Sequence, residues 1–176
     1  HDPPLVTDDK VKADLGAALT FWAQADFESR IDYTSQQFGI EQMLRFLGPS
    51  AVKSLPGMIT ESSSKIDRLA SLIAEIGDAD TKAKASDSLV RLAQTLDSDK
   101  WIEKQKPAVA EANKRANLKV TPEQLTEQVK KYQEQELIRV FTAMKKVGGR
   151  PVVDYLFKFS ADKNNSEERR KAALAA

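Results

Sequence analysis

Apolar side chains recur every three to four positions along most of the chain, with polar residues between them. In the segment 66–76, Ile66, Leu69 and Ile73 fall on one face, which is the spacing of an amphipathic helix with one buried side. The strict apolar–polar alternation of a half-buried strand does not occur. The pattern therefore predicts an all-α protein with eight or nine helices and no sheet.

Capping and breaking residues mark the ends of these helices. Thr121-Pro122-Glu123-Gln124 is the clearest start, because a capping Thr, a Pro at the first helical position and a Gln in the box position suit a helix N-terminus. Gly77 is expected to end a helix as a left-handed C-cap. Other predicted boundaries are Thr7-Asp8-Asp9, Gly48-Pro49, Ser64 with Asp67, Asp97-Ser98-Asp99, Gly148-Gly149, and Asn165 with Glu168.

The first half of the chain has less regular segments. The first helix is expected to end near residue 25, and residues 26–34 have no clear period and indicate a connection. After Gly48-Pro49, a short third helix is expected around Val52 and Leu55, interrupted by Pro56-Gly57, since a Pro inside a helix removes one backbone hydrogen bond.

Two parts of the chain repeat one order of elements. A shift of 101 residues aligns 48–55 with 149–156 and 63–68 with 164–169 without a gap. Each copy has an amphipathic helix, a Gly, a short helix, a polar loop, and a helix with an early acidic–basic pair. This order resembles the HEAT and armadillo families of α-solenoids, most clearly in 147–176, and the resemblance covers 36–96 and 137–176.

The resemblance implies antiparallel helical hairpins stacked as a short HEAT-like solenoid. Residues 1–35 and the long helix after Pro122 depart from the family pattern and leave an irregular helical bundle as the alternative. We therefore divide the chain into an N-terminal helix and connection (1–35) and a HEAT-like repeat domain (36–176). The last helix has no stop signal, so this domain is expected to be cut off at residue 176.

Composition removes several kinds of chemistry. The chain has no Cys and one His, His1, so thiolate or imidazole catalysis and transition-metal sites lack their usual residues. The close acidic pairs Asp78/Asp80 and Asp97/Asp99 stand at helix boundaries, where capping explains them. We expect no catalytic residue, no cofactor, no metal site and no enzymatic activity. No apolar run approaches the ~20 residues of a membrane span.

Charge is distributed unevenly. Residues 1–99 contain 10 basic and 16 acidic side chains, and residues 100–150 contain 12 and 6, so the two parts carry net charges of −6 and +6. A difference of this size can orient a partner. The interaction candidates in the basic part are Lys130, Lys131, Lys145, Lys146 and Arg150. Nucleic-acid binding is disfavoured, because the aromatic residues, Trp22 and Trp101 included, lie on apolar stripes.

The leading hypothesis is a non-enzymatic protein–protein interaction scaffold that presents a helical-repeat surface to an unidentified protein partner. One alternative is a structural or envelope-associated helical-bundle protein. A second is a nucleic-acid-binding HEAT-like protein, such as the DNA-repair glycosylases of that architecture. The chain begins at His1, which indicates a processed or trimmed form and leaves a periplasmic, secreted or cytoplasmic location open. The oligomeric state is also left open.

Overall fold

A computed structural model describes residues 6–28, 34–61, 63 and 65–176, without the side chains of 20–28 and 34–38. Within these ranges the protein is entirely helical and has no strand, which confirms the predicted all-α class. Two 3₁₀ helices, Pro49–Val52 and Leu55–Met58, separate the second and third α-helices. The α-helices are α1 (Asp9–Glu28), α2 (Thr34–Leu47), α3 (Ile66–Ile76), α4 (Ala79–Leu96), α5 (Asp99–Arg115), α6 (Pro122–Val147), α7 (Arg150–Ala161) and α8 (Glu167–Ala175).

Three predicted helix starts are confirmed by their hydrogen bonds. Thr121 and Gln124 form a reciprocal capping box at α6, with N–H···O distances of 2.9 and 3.3 Å. Asp78 accepts a hydrogen bond from the Thr81 N–H at 2.7 Å and caps α4. Ser98 caps α5 in the same way. Side-chain oxygens satisfy amide groups that a helix leaves without internal partners.

Other predicted helix ends differ from the structure in part. Gly77 follows the last residue of α3 as predicted, but with φ −67° and ψ 142° it is extended rather than left-handed. Ser166, not Asn165, caps α8, because its hydroxyl accepts from the Arg169 N–H at 3.3 Å. Asn165 instead donates to the Phe159 carbonyl at 2.9 Å. Lys65 occupies the N-cap position of α3 without a side-chain hydrogen bond, and the predicted cap at Ser64 lies outside the described residues.

The first helix and the connection after it also differ from the prediction. Helix α1 continues to Glu28 and α2 begins at Thr34, so residues 26–28 and 34 of the expected connection are helical, and residues 29–33 lie outside the described ranges. Val11 and Leu15 recur at helical spacing in the sequence, which would place them on a buried face, but they are 45% and 42% exposed. The side chain of Trp22 lies outside the described part of the chain.

The two segments of the predicted repeat begin with a similar backbone conformation at a Gly but form different secondary structure after it. Gly48 and Gly149 both have positive φ, +79° and +98°, and each precedes a Pro in the first turn of a helix. After Gly149 the chain forms the continuous helix α7, whereas after Gly48 it forms the two 3₁₀ helices. The α-helix expected around Val52 and Leu55 is therefore wrong, since Pro56 and Gly57 both disfavour helix propagation there.

Helix α6 lies at the centre of the fold and packs against α3, α4, α5 and α8. Leu137, Val140 and Met144 on α6 are fully buried, and the Phe141 ring meets Phe159 of α7 edge to face, with ring centroids 5.1 Å apart. The core residues form one cluster that extends from α2 to α8. Burial of apolar side chains on several sides of α6 stabilises the fold.

Helix α5 and the first part of α6 form an antiparallel hairpin that projects from this core. On α5 only Trp101 and Ile102 are buried, and on α6 no residue before Val129 is buried. Asn113 donates to Gln128 across the hairpin at 2.7 Å. None of the described helices is long and apolar enough to cross a bilayer.

Candidate functional site

Three large apolar side chains remain exposed around one groove between α7 and α8. Val153, Phe157 and Leu174 are 62%, 71% and 72% exposed, and all three line a hollow of about 230 Å³. We call this surface the α7–α8 groove. Its other apolar lining residues are Met144, Val152, Leu156, Ala173 and Ala176. Contiguous exposed apolar surface of this kind is typical of a site that binds another protein.

Local structure explains why these side chains point outward. Helix α7 buries Val152, Leu156 and Phe159 against the core, and this spacing leaves Val153 and Phe157 together on another face. The turn into α7 passes through Gly148 and Gly149 with positive φ. The buried hydroxyl of Ser86 on α4 donates to the Gly148 carbonyl at 2.6 Å, which fixes the direction in which α7 leaves α6.

A polar cluster attaches α8 to the core. Arg169 donates to the side-chain oxygen of Gln133 at 2.6 Å and pairs with Asp97 at 3.1 Å. The Gln133 amide in turn donates to the Leu96 carbonyl at 2.6 Å. Burial raises the pKa of Asp97 although Arg169 opposes the shift, and burial also raises the pKa of Tyr155 beside it. These contacts hold Leu174 in position opposite α7.

Lys145 is the charged residue that lines the groove, and two exposed ion pairs lie on the adjoining helices. Arg150 lies 3.6 Å from Asp154, and Lys171 lies 2.6 Å from Glu167. Lys145 lines the groove and donates to the Ala175 carbonyl at 2.9 Å, but it has no carboxylate partner in the part of the chain that is described. The groove is therefore apolar with a cation at its edge.

The five basic candidates from the sequence do not form one site. Lys130 and Lys145 are fifteen positions apart on α6, a distance of about 22 Å along the helix axis. Lys131 pairs with Glu127 at 3.9 Å. Lys146 is directed to α3, where it contacts Asp67 at 2.5 Å and Ser71 at 2.9 Å. Of the five, Lys145 lines the α7–α8 groove, and Arg150 lies one turn before Val153.

Sequence reasoning missed the exposed apolar residues of this groove. Val152 and Val153 are both apolar, but adjacent residues of a helix point about 100° apart, and here only Val152 is buried. Phe157, one turn after Val153, is the signal that would have indicated a second apolar face. The shift of 101 residues also aligns Ile73 with Leu174, but Ile73 is fully buried whereas Leu174 is exposed.

A second apolar hollow of about 400 Å³ lies between α1 and α2. Leu15, Leu19, Met43 and Phe46 line it, and Met43 and Phe46 are 53% and 62% exposed. The side chains that follow Leu19 on α1 are outside the described part. We therefore base the candidate site on the α7–α8 groove.

Within the described ranges no group of His, Cys, Asp and Glu side chains has the arrangement of a metal site. No protein-family model, curated protein or solved structure matches the chain. The class that the fold and the groove define is an all-α protein with an exposed apolar surface between two helices.

Proposed function

We propose that this protein is a non-enzymatic protein-interaction module and that the α7–α8 groove is its docking site. The observation that carries the proposal is the exposure of Val153, Phe157 and Leu174 around one hollow. Large apolar side chains that are mostly exposed lose contact with water when a partner covers them, and this hydrophobic effect favours association.

An amphipathic helix of a protein partner is the occupant that fits this surface. The groove runs between two helices, and a partner helix can place apolar side chains at intervals of three and four residues into such a groove. An acidic residue on the partner helix would lie opposite Lys145 and near Arg150. This arrangement gives two of the sequence candidates a role in orienting the partner.

The HEAT-like stacking of the helices remains a proposal, and the irregular bundle remains its alternative. The packing of α3, α4, α5 and α8 around one central helix, α6, supports the bundle. The turn through Gly148 and Gly149, together with the helix pair α7–α8, supports a HEAT-like hairpin at the C-terminal end. Small-angle scattering separates the two arrangements, because a solenoid is elongated and a bundle is compact.

The docking proposal is tested with the immobilised full chain and a lysate of the source cells. The groove variant combines Phe157→Ser and Leu174→Ser, and the matched control is Leu118→Ser in the turn between α5 and α6, where Leu118 is 57% exposed. We expect one protein to be retained by the wild type and the control, and at least about tenfold less by the groove variant. Because the changed side chains are exposed, unfolding midpoints should agree among the three chains.

Two results would contradict the proposal. One is equal retention of all captured proteins by the groove variant and the control. The other is capture of nucleic acid or a small metabolite alone, which would favour the nucleic-acid-binding alternative or an enzyme. Recovery of the chain only within a large envelope assembly would instead support the structural alternative.

A further inference from the structure

Another concave surface lies between α4, the first turns of α5 and the segment that follows the second 3₁₀ helix. Two adjoining hollows of about 480 and 320 Å³ form it, and both are lined by Glu61, Arg91 and Thr95. We call this surface the α4–α5 trough. Ser88, Arg91 and Thr95 are spaced by three and four residues on α4, so one helix face runs along the trough and makes it continuous.

The charged groups of the trough are mostly basic. Its charged lining residues are three cations, Arg91, Lys100 and Lys104, and one carboxylate, Glu61. Lys104 pairs with Glu61 at 2.9 Å. Arg91 donates to the Ser88 hydroxyl at 3.1 Å, and neither Arg91 nor Lys100 forms an ion pair with a described carboxylate. Two positive charges are therefore available to an incoming anion.

The rest of the lining is apolar or neutral and polar. Ile59, Leu92 and Trp101 are 6%, 5% and 4% exposed and contribute an apolar base. Gln94 adds an exposed amide, and Thr95 adds a hydroxyl that donates to its own helix at 2.9 Å. An amide and a hydroxyl can form hydrogen bonds with the backbone N–H and C=O groups of an extended peptide. The apolar base can contact its small side chains.

The same lining argues against nucleic acid as the ligand. Binding of single-stranded nucleic acid depends on exposed aromatic rings on which bases stack. Trp101 is the aromatic residue that lines the trough, and its ring packs against Tyr132 with centroids 5.6 Å apart. At 4% exposure it presents too little surface for stacking.

The geometry points to a binding site for an acidic segment of a protein partner, held in extended form along the α4–α5 trough with carboxylates at Arg91 and Lys100. The trough shares no lining residue with the α7–α8 groove. Either site can therefore fail its test without affecting the other, and a partner that uses both gains affinity from two linked contacts.

The test uses the full chain and a fluorescein-labelled octapeptide of alternating Glu and Val, whose β-branched residues favour extended backbone. Fluorescence anisotropy should detect binding that weakens as salt is added, because the contacts are between exposed charges. The double variant Arg91→Ala with Lys100→Ala should weaken binding by about five- to tenfold. The same octapeptide with Gln in place of Glu should bind more weakly to the wild type.

The matched control removes the same charge elsewhere. Lys114→Ala with Lys119→Ala changes two exposed cations near the turn between α5 and α6, and it should leave peptide affinity within about twofold of the wild type. Equal weakening by both double variants would overturn the site, since it would reflect net charge alone. Equal binding of the Gln octapeptide, or tighter binding of an eight-nucleotide DNA strand that depends on Arg91 and Lys100, would overturn the acidic-peptide assignment.

Discussion

At the scale of single residues, Asp78 and Asp97 show how the end of a helix can shift a carboxyl pKa in either direction. Asp78 lies at the N-terminus of α4, where hydrogen bonding from Thr81 lowers its pKa. Asp97 lies at the C-terminus of the same helix, where burial raises its pKa and Arg169 only partly compensates. The anion is thus favoured by folding at one position and disfavoured at the other.

These shifts predict opposite pH dependence for two isosteric variants. Ionised Asp78 contributes stability above its unfolded pKa of about 4, and this contribution is lost as pH falls through the lowered folded value. Protonated Asp97 is the form that folding favours, so its contribution is present below pH about 4 and is lost as pH rises through the raised folded value. Denaturant unfolding of Asp78→Asn, Asp97→Asn and the wild type, from pH 3 to 7, measures the pH dependence of both contributions to stability.

The free energy of unfolding of Asp78→Asn should fall furthest below that of the wild type at neutral pH, and the gap between the two should become smaller in acid. Asp97→Asn should gain relative stability as pH rises above about 4. Parallel pH profiles for the two variants would contradict the environments assigned to these carboxyls. Asn is also a good helix cap, so Asp78→Asn removes the charge and keeps the cap.

At the scale of elements, glycines decide how α1 and α7 are placed. A Cβ atom built on Gly16 of α1 would lie 2.0 Å from the Ala51 carbonyl oxygen in the first 3₁₀ helix. The backbone of α1 therefore approaches that of Pro49–Val52 directly, and only Gly permits this distance. At Gly149, positive φ and a Cβ position 2.7 Å from the Ser86 hydroxyl set the turn from α6 into α7.

Gly16→Ala and Gly39→Ala should change stability in opposite directions. Gly39 is also inside a helix, α2, but a Cβ there meets nothing within 4 Å, so Ala should stabilise by up to about 1 kcal/mol through helix propensity. Gly16→Ala should destabilise by about 1–3 kcal/mol, because α1 has to move away from Ala51. Denaturant unfolding checks both signs, and a stabilising Gly16→Ala would contradict the close approach of α1.

At the scale of the whole molecule, the core is continuous from α2 to α8 and has α6 at its centre. Leu137, Phe141 and Met144 of α6 are at most 1% exposed. Because one helix supplies buried side chains to several neighbours, loss of packing on α6 is expected to affect all of them together.

Leu137→Ala should therefore lower the free energy of unfolding of the whole core by about 2–5 kcal/mol. Far-UV circular dichroism and tryptophan fluorescence should report the same transition before and after the substitution, as a two-state domain requires. The control is Ile138→Ala, the adjacent residue, which is 43% exposed and should cost less than about 1 kcal/mol. Two separate transitions in the wild type would show that the core is not one cooperative unit.

The sequence by itself determined the helical class and most of the helix boundaries. These features depend on contacts within three or four residues, such as the reciprocal bonds of Thr121 and Gln124 and the caps at Asp78 and Ser98. The same local reasoning failed at Ser166, because the competing candidate Asn165 bonds to Phe159 instead. It also failed after Gly48, where a Pro-Gly pair left two 3₁₀ helices in place of one α-helix.

Only the tertiary structure decided which apolar residues are covered, and hence where the candidate sites lie. Ile73 and Leu174 occupy equivalent positions of the sequence pattern, but α3 packs against α6 over Ile73 while no described element covers Leu174. The α4–α5 trough likewise joins Glu61 to Lys104, which are far apart in sequence. Burial depends on which distant elements meet, and the periodicity of one helix carries no information about its neighbours.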